Sequence, residues 1–470
     1  MNIIIIGAGR VGESVAESLA SEKNDITVVD TQPDRLSALQ QRLDLRGVAG
    51  NGIQPSVLRE AGIEDADMLI ACAPADETNL VACKVAHDLF NVPTTIARLR
   101  SPEFIDGSSL LGKESGFAVD QVICPEQSVT RYIRKLIEFP EALQVLEFAR
   151  GLVSLIAVRA VAGAALVKHT LAEIPKLLRG AEMRIVAIYR GNARVPADGR
   201  AQIEPDDEVF VLAATADIRR VLEALHGQDR PVRRVMVAGG GKVGLRLARE
   251  IHAFHEIKII EADRGRCEYL ASQLPSSALV LNGDSTDEDL MDDENVQDMD
   301  LFIAITSDDE DNIMSCLLAK RLGARRVLAL INRRAYADLV QGTTIDIAIS
   351  PAQAVIGELL AFVRRGDVEA VHSLRRGASE ALEAVARGDQ RTSRVVGRRI
   401  EELALPRGAE IGAIVRGLPA EDAPTPAGVQ VIMPHHDTVI EADDHVIVFL
   451  PRKRMVREVE KLFQVGATFF

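Results

Sequence analysis

The chain has 470 residues, 47% of them hydrophobic, which is too long for one ordinary domain and apolar enough for several cores. Its formal net charge of −14 argues against general nucleic-acid binding, because a phosphate backbone would repel it. No apolar stretch reaches the roughly 20 residues that a membrane-spanning helix needs, and the N-terminus lacks the basic region of a signal peptide. The five cysteines are scattered without a C-x-x-C pair, which indicates buried, reduced thiols in a cytosolic protein.

The opening segment, residues 1–30, has the pattern of a dinucleotide-binding unit. Four consecutive isoleucines predict a strand that is buried on both faces. A full G-x-G-x-x-G follows, made of Gly7, Ala8, Gly9, Arg10, Val11 and Gly12. A helix pattern comes next, and a second strand ends at Asp30, where a carboxylate can accept hydrogen bonds from an adenosine ribose. The helix N-terminus and the glycine turn together favour binding of a pyrophosphate.

Helix and strand patterns alternate along the rest of residues 1–124. We predict helices at 35–43, 54–60 and 79–89, and strands at 45–49, 68–73, 94–99 and 117–124. This alternation predicts a doubly wound parallel sheet with helices on both faces. An amphipathic helix within 125–140 then leads to a small, strand-rich α+β domain at 141–226, in which 170–178 reads as a short helix.

The whole arrangement occurs twice. After a linker at 227–232, residues 233–350 repeat the first domain, residues 351–369 repeat the connecting helix, and residues 370–463 repeat the small domain. The motif Asp76-Glu77-Thr78-Asn79 returns as Asp309-Glu310-Asp311-Asn312, with acids suited to a helix N-terminus. The proline-rich stretch 417–428 is expected to be a surface loop of the second copy.

Two such units in one chain resemble the regulator-of-potassium-conductance (RCK, or KTN) family, and in particular the peripheral subunits of Trk potassium-uptake systems. The resemblance implies two Rossmann-like α/β domains, each followed by a small RCK-C-type α+β domain. It implies NAD(H) binding, with ATP or ADP as further ligands, and no enzymatic activity. It also implies a homo-oligomeric ring, a dimer or tetramer of chains, on the cytoplasmic face of the inner membrane under an integral membrane potassium-translocating subunit.

The resemblance also assigns site residues, and it does so position by position. In the first copy these are the glycine-loop residues Gly7 to Gly12, the acid Asp30, the end of the fourth strand at Ala73 and Pro74, and Arg98. In the second copy they are Gly239, Gly240, Gly241, Lys242, Val243, Glu261, Thr306 and Ser307. Leu330 stands where Arg98 stands in the first copy, so equal affinity for the same nucleotide is not expected at the two sites.

The same residues also allow other interpretations. The glycine loops could be structural only, Asp30 and Glu261 could be helix caps, and Arg98 could be the partner in a surface ion pair. His435, His436 and His445 are expected to form a surface cluster rather than a metal site. The main rival function is an NAD-dependent oxidoreductase, although no His, Lys or Tyr stands at a convincing catalytic position. A weaker alternative is a nucleotide sensor for a different channel or exchanger.

Overall fold

The computed structural model describes residues 1–20, 24–105, 108–178, 180–191, 193–227, 230–340, 344–363, 368–374, 379–419 and 428–465. The chain folds as two copies of the same pair of units, a parallel-sheet domain and an antiparallel-sheet domain. In this part of the chain, no helix combines the length and the apolar composition needed to cross a bilayer.

The first copy begins with a Rossmann-like domain and continues into a smaller domain through one long helix. Its elements are β1 (Asn2–Ile6), α1 (Arg10–Ala20), β2 (Asp25–Asp30), α2 (Pro33–Gln40), β3 (Arg46–Ala49), α3 (Pro55–Glu60), β4 (Met68–Ala71), α4 (Asp76–Phe90), β5 (Thr94–Arg98), α5 (Pro102–Ile105), α6 (Ser108–Leu111), β6 (Gln121–Ile123), α7 (Pro125–Glu138), β7 (Ala142–Phe148), β8 (Val153–Arg159), α8 (Ile174–Leu177), β9 (Met183–Arg190), β10 (Ala193–Val195), β11 (Glu208–Ala214) and α9 (Ile218–His226).

The second copy repeats this order. Its elements are β12 (Arg234–Ala238), α10 (Lys242–Ile251), β13 (Glu256–Glu261), α11 (Arg264–Gln273), β14 (Ala278–Asn282), α12 (Glu288–Asp293), β15 (Leu301–Ala304), α13 (Asp309–Leu322), β16 (Arg326–Leu330), α14 (Arg334–Val340), β17 (Ile347–Ile349), α15 (Pro351–Val363), β18 (Val368–Leu374), β19 (Ser379–Val385), β20 (Glu410–Arg416), β21 (Gln430–Ile432), β22 (His445–Leu450) and α16 (Val456–Phe463).

Both large domains contain a six-stranded sheet of doubly wound topology. The strand orders are β3-β2-β1-β4-β5-β6 and β14-β13-β12-β15-β16-β17, and the recorded pairs are parallel. The isoleucines of β1 are at most 3% exposed because helices cover both faces of the sheet. In each sheet the order reverses between the first and the fourth strand, which opens a crevice beyond their carboxyl ends.

The two small domains, which we call the C-modules, are antiparallel five-stranded sheets. Their strand orders are β10-β9-β11-β8-β7 and β18-β19-β22-β20-β21, and each is followed by or packed with a terminal helix, α9 or α16. The predicted fold class, two Rossmann-like domains each followed by a small α+β domain, is therefore confirmed.

Each C-module packs against the parallel-sheet domain of the other copy, an arrangement that we call partner exchange. One core joins the first C-module to the second parallel sheet, and another joins the first parallel sheet to the second C-module. The crossover helices make this exchange, since α7 packs on α10 and α15 packs on α1. A third core joins the two C-modules, with Phe148 and Phe210 from the first and Phe449 from the second. The chain order alone does not predict this exchange.

Some local predictions need correction. The helix expected at 170–178 is only Ile174–Leu177, because Thr170 is bridged to Gln202 and Pro175 lies at the start of the helix, where its missing N–H costs nothing. The strand expected at 117–124 is only Gln121–Ile123. Residues 420–427 of the expected surface loop and residues 228–229 of the linker lie outside the described residues.

Candidate functional site

The first glycine loop leaves β1 in a tight turn that only glycine can make. Gly7 has a φ of +98°, and a side chain there would come within 3.1 Å of the backbone of Cys72. A Cβ atom on Gly12 would lie 1.9 Å from the carbonyl oxygen of Gly7, so the helix α1 must begin this close to the strand. A Cβ atom on Gly9 would meet nothing within 4 Å, so the centre of the loop faces open space. A phosphate group can therefore approach this backbone closely.

Asp30, at the end of β2, is bound to the glycine loop. Its Oδ2 accepts a 2.6 Å hydrogen bond from the backbone N–H of Ala8, and its Oδ1 accepts a 2.8 Å bond from that of Gln32. The N-cap residue of α2 is Gln32, so Asp30 does not act as that helix's cap. A carboxylate has about four acceptor positions, which leaves capacity for the hydroxyls of a ribose.

The ends of β4 and β5 are joined by one buried amide side chain. The Oδ1 atom of Asn79 accepts from the N–H of Ala73 at 2.8 Å, and its Nδ2 atom donates to the carbonyls of Ala73 and Arg98 at 3.0 and 2.7 Å. Ala73 is buried and Pro74 is exposed beside it. This bond network holds Arg98 at the rim of the crevice, two strands or roughly 10 Å from Gly7.

Arg98 is a poorly satisfied cation. Its side chain is only 13% exposed, and its Nη2 atom lies 3.9 Å from Oε1 of Glu126. Its Nε atom is buried and has no hydrogen-bond partner. Burial lowers the pKa of the guanidinium, and the nearby Arg100 lowers it further. Arg98 is thus not a surface ion-pair residue, and a bound anion would supply the partner that it lacks.

The second site repeats this geometry around Gly239, Gly240, Gly241, Lys242 and Val243. Gly239 has a φ of +107°, and a Cβ atom on Gly241 would again meet nothing within 4 Å. Glu261 accepts hydrogen bonds from the N–H groups of Gly240 at 2.9 Å and Asp263 at 3.0 Å. The N-cap of α11 is Asp263, so Glu261 is not its cap.

The second crevice has the same kind of amide network at its rim, but Leu330 takes the place of the cation Arg98. Asn312 binds the backbone of Thr306 through its Oδ1 atom at 2.8 Å and donates to the carbonyl of Leu330 at 2.9 Å, as Asn79 does in the first copy. Ser307 is exposed next to Thr306. Leu330 is 7% exposed and belongs to an apolar core. The two sites therefore differ in charge, as the sequence predicted.

An open cleft of about 490 Å³ adjoins the first glycine loop, between α1 and α2. Arg10 and Arg35 both line it. Both are exposed, and neither forms an ion pair with any residue in the described ranges. Arg42 lines it too, but this guanidinium is already paired with Glu13. The surroundings of the first loop thus favour a ligand with several negative charges.

Sequence reasoning missed the structural use of the repeated acid and amide motif. Asp76 accepts hydrogen bonds from the N–H groups of Arg100 and Ser101, and Asp309 accepts from those of Asn332 and Arg333. These carboxylates point to the loop after the fifth strand rather than serving only the helix dipole. The signal was the repetition of the D-x-x-N spacing at both sites, at the start of α4 and α13.

The predicted histidine cluster is wrong for one of its members. His435 and His436 are exposed, but His445 is 9% exposed and its Nδ1 atom lies 2.6 Å from Oε1 of Glu383. His445 begins β22, where the strand turns it inward. Within the described ranges, no group of three or more His, Cys, Asp or Glu residues could hold a metal ion.

All five cysteines are buried free thiols. Burial raises the pKa of Cys72, which lies beneath the first loop, to about 12 and raises that of Cys316 as well. Thiols with such raised pKa values stay protonated and are poor nucleophiles. The thiol of Cys72 is therefore not suited to act as a nucleophile in the first crevice.

Comparison with known proteins identifies the domains of both copies. The TrkA-N domain model matches residues 3–125 and 235–351, and the TrkA-C domain model matches residues 155–226 and 390–464. The chain is 52% identical over 470 residues to the Trk system potassium uptake protein TrkA of Halomonas elongata, with 100% of both chains covered. It is 48% identical over 469 residues to the protein of that name from Vibrio alginolyticus, again with 100% of both covered.

Among solved structures, a GsuK RCK domain matches with a TM-score of 0.59 and 16% identity, covering 98% of this chain and 94% of that one. A GsuK channel bound to NAD matches with a TM-score of 0.59 and 18% identity, covering 98% of this chain and 78% of that one. At such identities the likeness concerns the fold alone. From the paired domain matches and the full-length relatives, the chain belongs to the TrkA family, which is built from tandem TrkA-N and TrkA-C domains.

Proposed function

We propose that this chain is a cytoplasmic regulatory subunit of a potassium-uptake system, which senses NAD(H) and adenine nucleotides and controls an integral membrane potassium-translocating partner. Nucleotide binding is inferred mainly from Arg98 at the rim of the crevice, whose side chain is 13% exposed and whose buried Nε atom has no hydrogen-bond partner. It stands opposite an open glycine loop and an acid suited to a ribose. The full-length relatives that are named as Trk potassium uptake proteins support the transport role.

Within this proposal the sensing units are residues 1–124 and 233–350. The crossover helices lie within 125–140 and 351–369, the C-modules span 141–226 and 370–463, and residues 227–232 link the halves. The binding residues are those assigned above for the two copies. The first site is expected to bind more tightly, because Arg98 and the unpaired Arg10 and Arg35 favour an anion there.

The mechanism is a shift between two arrangements of a homo-oligomer. A nucleotide can change the arrangement only by as much as it binds one state better than the other. Because each C-module packs on the other copy's parallel sheet, a change at one crevice acts on both halves of the chain. The proposed assembly is a dimer or tetramer of chains at the cytoplasmic face of the inner membrane.

Calorimetry with NADH, NAD, ATP and ADP tests the binding sites. Gly9→Asp and Gly241→Asp add a carboxylate beside each loop, at positions where the new Cβ atom would meet nothing within 4 Å. We expect Gly9→Asp to abolish the tighter binding and Gly241→Asp to leave it. Gly199→Asp is the matched control, because its Cβ atom would meet only Ala172, at 3.6 Å, in the first C-module. Unchanged binding of all four nucleotides in both loop variants would refute the assignment.

Copurification with membranes tests the transport role. We expect the full chain to bind vesicles from cells that make a Trk-type membrane subunit, to be released by high salt, and to change potassium flux when nucleotide is added. Vesicles without that subunit are the control. Steady turnover of NADH with a metabolite, in place of simple binding, would point instead to an oxidoreductase.

A further inference from the structure

Glu126 connects the first crevice to the crossover helix. It lies in the first turn of α7, and its side chain is 12% exposed. Its Oε1 atom is 2.8 Å from Nε of Arg100 and 3.9 Å from Nη2 of Arg98. One carboxylate on the helix thus faces two cations at the end of β5, and one of these cations, Arg98, belongs to the candidate site.

The second copy lacks all three of these charges. Asn79 and Asn312 donate to the carbonyls of Arg98 and Leu330 respectively, which makes these two positions equivalent.

The other two charges are placed in the same way. Asp76 accepts from the N–H group of Arg100 and Asp309 accepts from that of Asn332, so these two positions are also equivalent. Pro125 and Pro351 begin the two crossover helices, so the position of Glu126 is taken by Ala352. None of the three charged residues of the first copy thus has a charged counterpart in the second copy.

The helix α7 contacts the other copy along its length. The Oγ atom of Ser128 donates to Oε1 of Glu358 on α15 at 2.9 Å. Farther along, Nη1 of Arg134 lies 3.4 Å from Oε2 of Glu250 on α10. The apolar face of α7 is part of the core that contains the second parallel sheet. A change in how the N-terminal turn of α7 is held can therefore reach the second half of the chain.

We propose that Arg98 and Glu126 form a latch that a nucleotide in the first site opens, and that this latch is absent from the second site. The latch rests on the nucleotide binding proposed above. A phosphate is a stronger partner for a guanidinium than a carboxylate 3.9 Å away, so a bound nucleotide draws Arg98 toward the crevice. Glu126 then remains paired with Arg100 alone. The first turn of α7 thus loses one of its two electrostatic contacts with the end of β5.

The second site has no comparable link. Leu330 is packed in a core, and Ala352 has no charged or polar side-chain group that could respond to a bound phosphate. A nucleotide in the second crevice is therefore expected to bind without shifting its crossover helix by this route. The two sites differ in what they transmit, beyond any difference in affinity. Glu126 is a positioning residue in this scheme, since it acts through Arg98.

Amide hydrogen exchange of the peptide that spans residues 125–138 tests the latch. The experiment uses the full chain with Gly241→Asp, which blocks the second site, so that the exchange reports nucleotide binding at the first site alone. NADH and ADP are the nucleotides added. In this background we expect nucleotide to change the exchange of the helix. With Glu126→Gln added, that change should disappear, whereas binding by calorimetry should become about two- to fivefold tighter because Arg98 no longer has a competing carboxylate.

Glu138→Gln, at the other end of the same helix, is the control and should keep the response of the parent. If Glu126→Gln binds nucleotide and the helix still responds as in the parent, the latch does not exist and Glu126 acts only by local charge. If the parent binds nucleotide but the helix never responds, the latch is likewise overturned. Absence of binding in the chain without Gly241→Asp refutes the proposed function itself, which is a separate result.

Discussion

The carboxylate of Asp30 accepts a hydrogen bond of 2.6 Å from the backbone N–H of Ala8, which ties the end of β2 to the middle of the first glycine loop. Glu261 makes the corresponding bond to Gly240 with a side chain that is one methylene longer. The acid thus holds the loop to the end of the neighbouring strand, and the proposed function gives the same group a second role as the ribose acceptor. A substitution at Asp30 is therefore expected to change both the loop geometry and the proposed ribose contact.

Replacing Asp30 by Ala should weaken NADH binding at the first site about tenfold or more. The variant loses the ribose acceptor and both of its backbone anchors, and hydrogen bonds to a charged group are worth about 1.5–3 kcal/mol each. Calorimetry of the Gly241→Asp chain measures this loss. Asp34→Ala, on the exposed first turn of α2, removes the same charge nearby and should bind normally. Equal affinities for both variants would contradict the role given to Asp30.

Replacing Arg98 by Leu, the residue of the second copy, should weaken nucleotide binding without lowering stability. The guanidinium is costly to bury and its Nε atom is unsatisfied, so an apolar side chain of the kind already present at Leu330 can be accommodated. Urea denaturation and calorimetry on the same preparation separate the two effects. A variant that binds as tightly as the parent would show that Arg98 does not contact the ligand.

Replacing Asn79 by Ala should lower the free energy of unfolding by about 2 kcal/mol, because three backbone groups, two of them buried, lose their hydrogen-bond partner. The measurement is the shift of the urea midpoint. Glu77→Ala, on the exposed face of the same helix turn, serves as the comparison and should shift it little. Equal shifts would mean that the rim of the crevice does not depend on this amide.

His372 should make the protein less stable as the pH falls below about 6.5. Burial lowers the pKa of its imidazole, although Glu147 and Glu383 oppose this effect, and Nε2 lies 2.9 Å from the carbonyl oxygen of Glu147. The folded state thus binds the proton less well than the unfolded state, so the stability is present above the unfolded pKa and is lost as the pH falls.

The measurement for His372 is the urea midpoint between about pH 7.5 and 5.5. His372→Phe keeps a ring against Phe148, which packs edge-on to the imidazole at 4.9 Å, but it cannot titrate. We expect its midpoint to fall less steeply than that of the parent over this range. Parallel pH profiles would exclude His372 as a source of acid sensitivity.

The parallel sheets were predictable because their patterns are local. An apolar run such as Ile3–Ile6, followed by a glycine turn and by an acid at the end of the next strand, is typical of the Rossmann-like fold. The repeat shows each of these features a second time, which strengthened the prediction. Asp207 and Asp444 stand at equivalent positions in the two C-modules. In the structure each is fully buried and bound by a two-pronged arginine, Arg190 or Arg416.

The partner exchange between the copies was not predictable from periodicity. The apolar face of α7 shows that the helix packs on something, but not which sheet it covers, because either copy offers an equivalent surface. The same limit applies to His445, whose pairing with Glu383 depends on the register of two antiparallel strands, β19 and β22. Side-chain partners far apart in sequence depend on topology, which a single sequence does not state.

The exchanged packing also has a consequence for synthesis on the ribosome. The first parallel sheet shares its core with residues of β19, β20, β22 and α16, which are translated after the whole of the first copy. At about 5–20 residues per second, that sheet waits many seconds for its apolar partner. The helix face of Val15 and Leu19 therefore stays exposed on the nascent chain until α15 and the second C-module have been made, and truncations within that module should harm the first parallel-sheet domain.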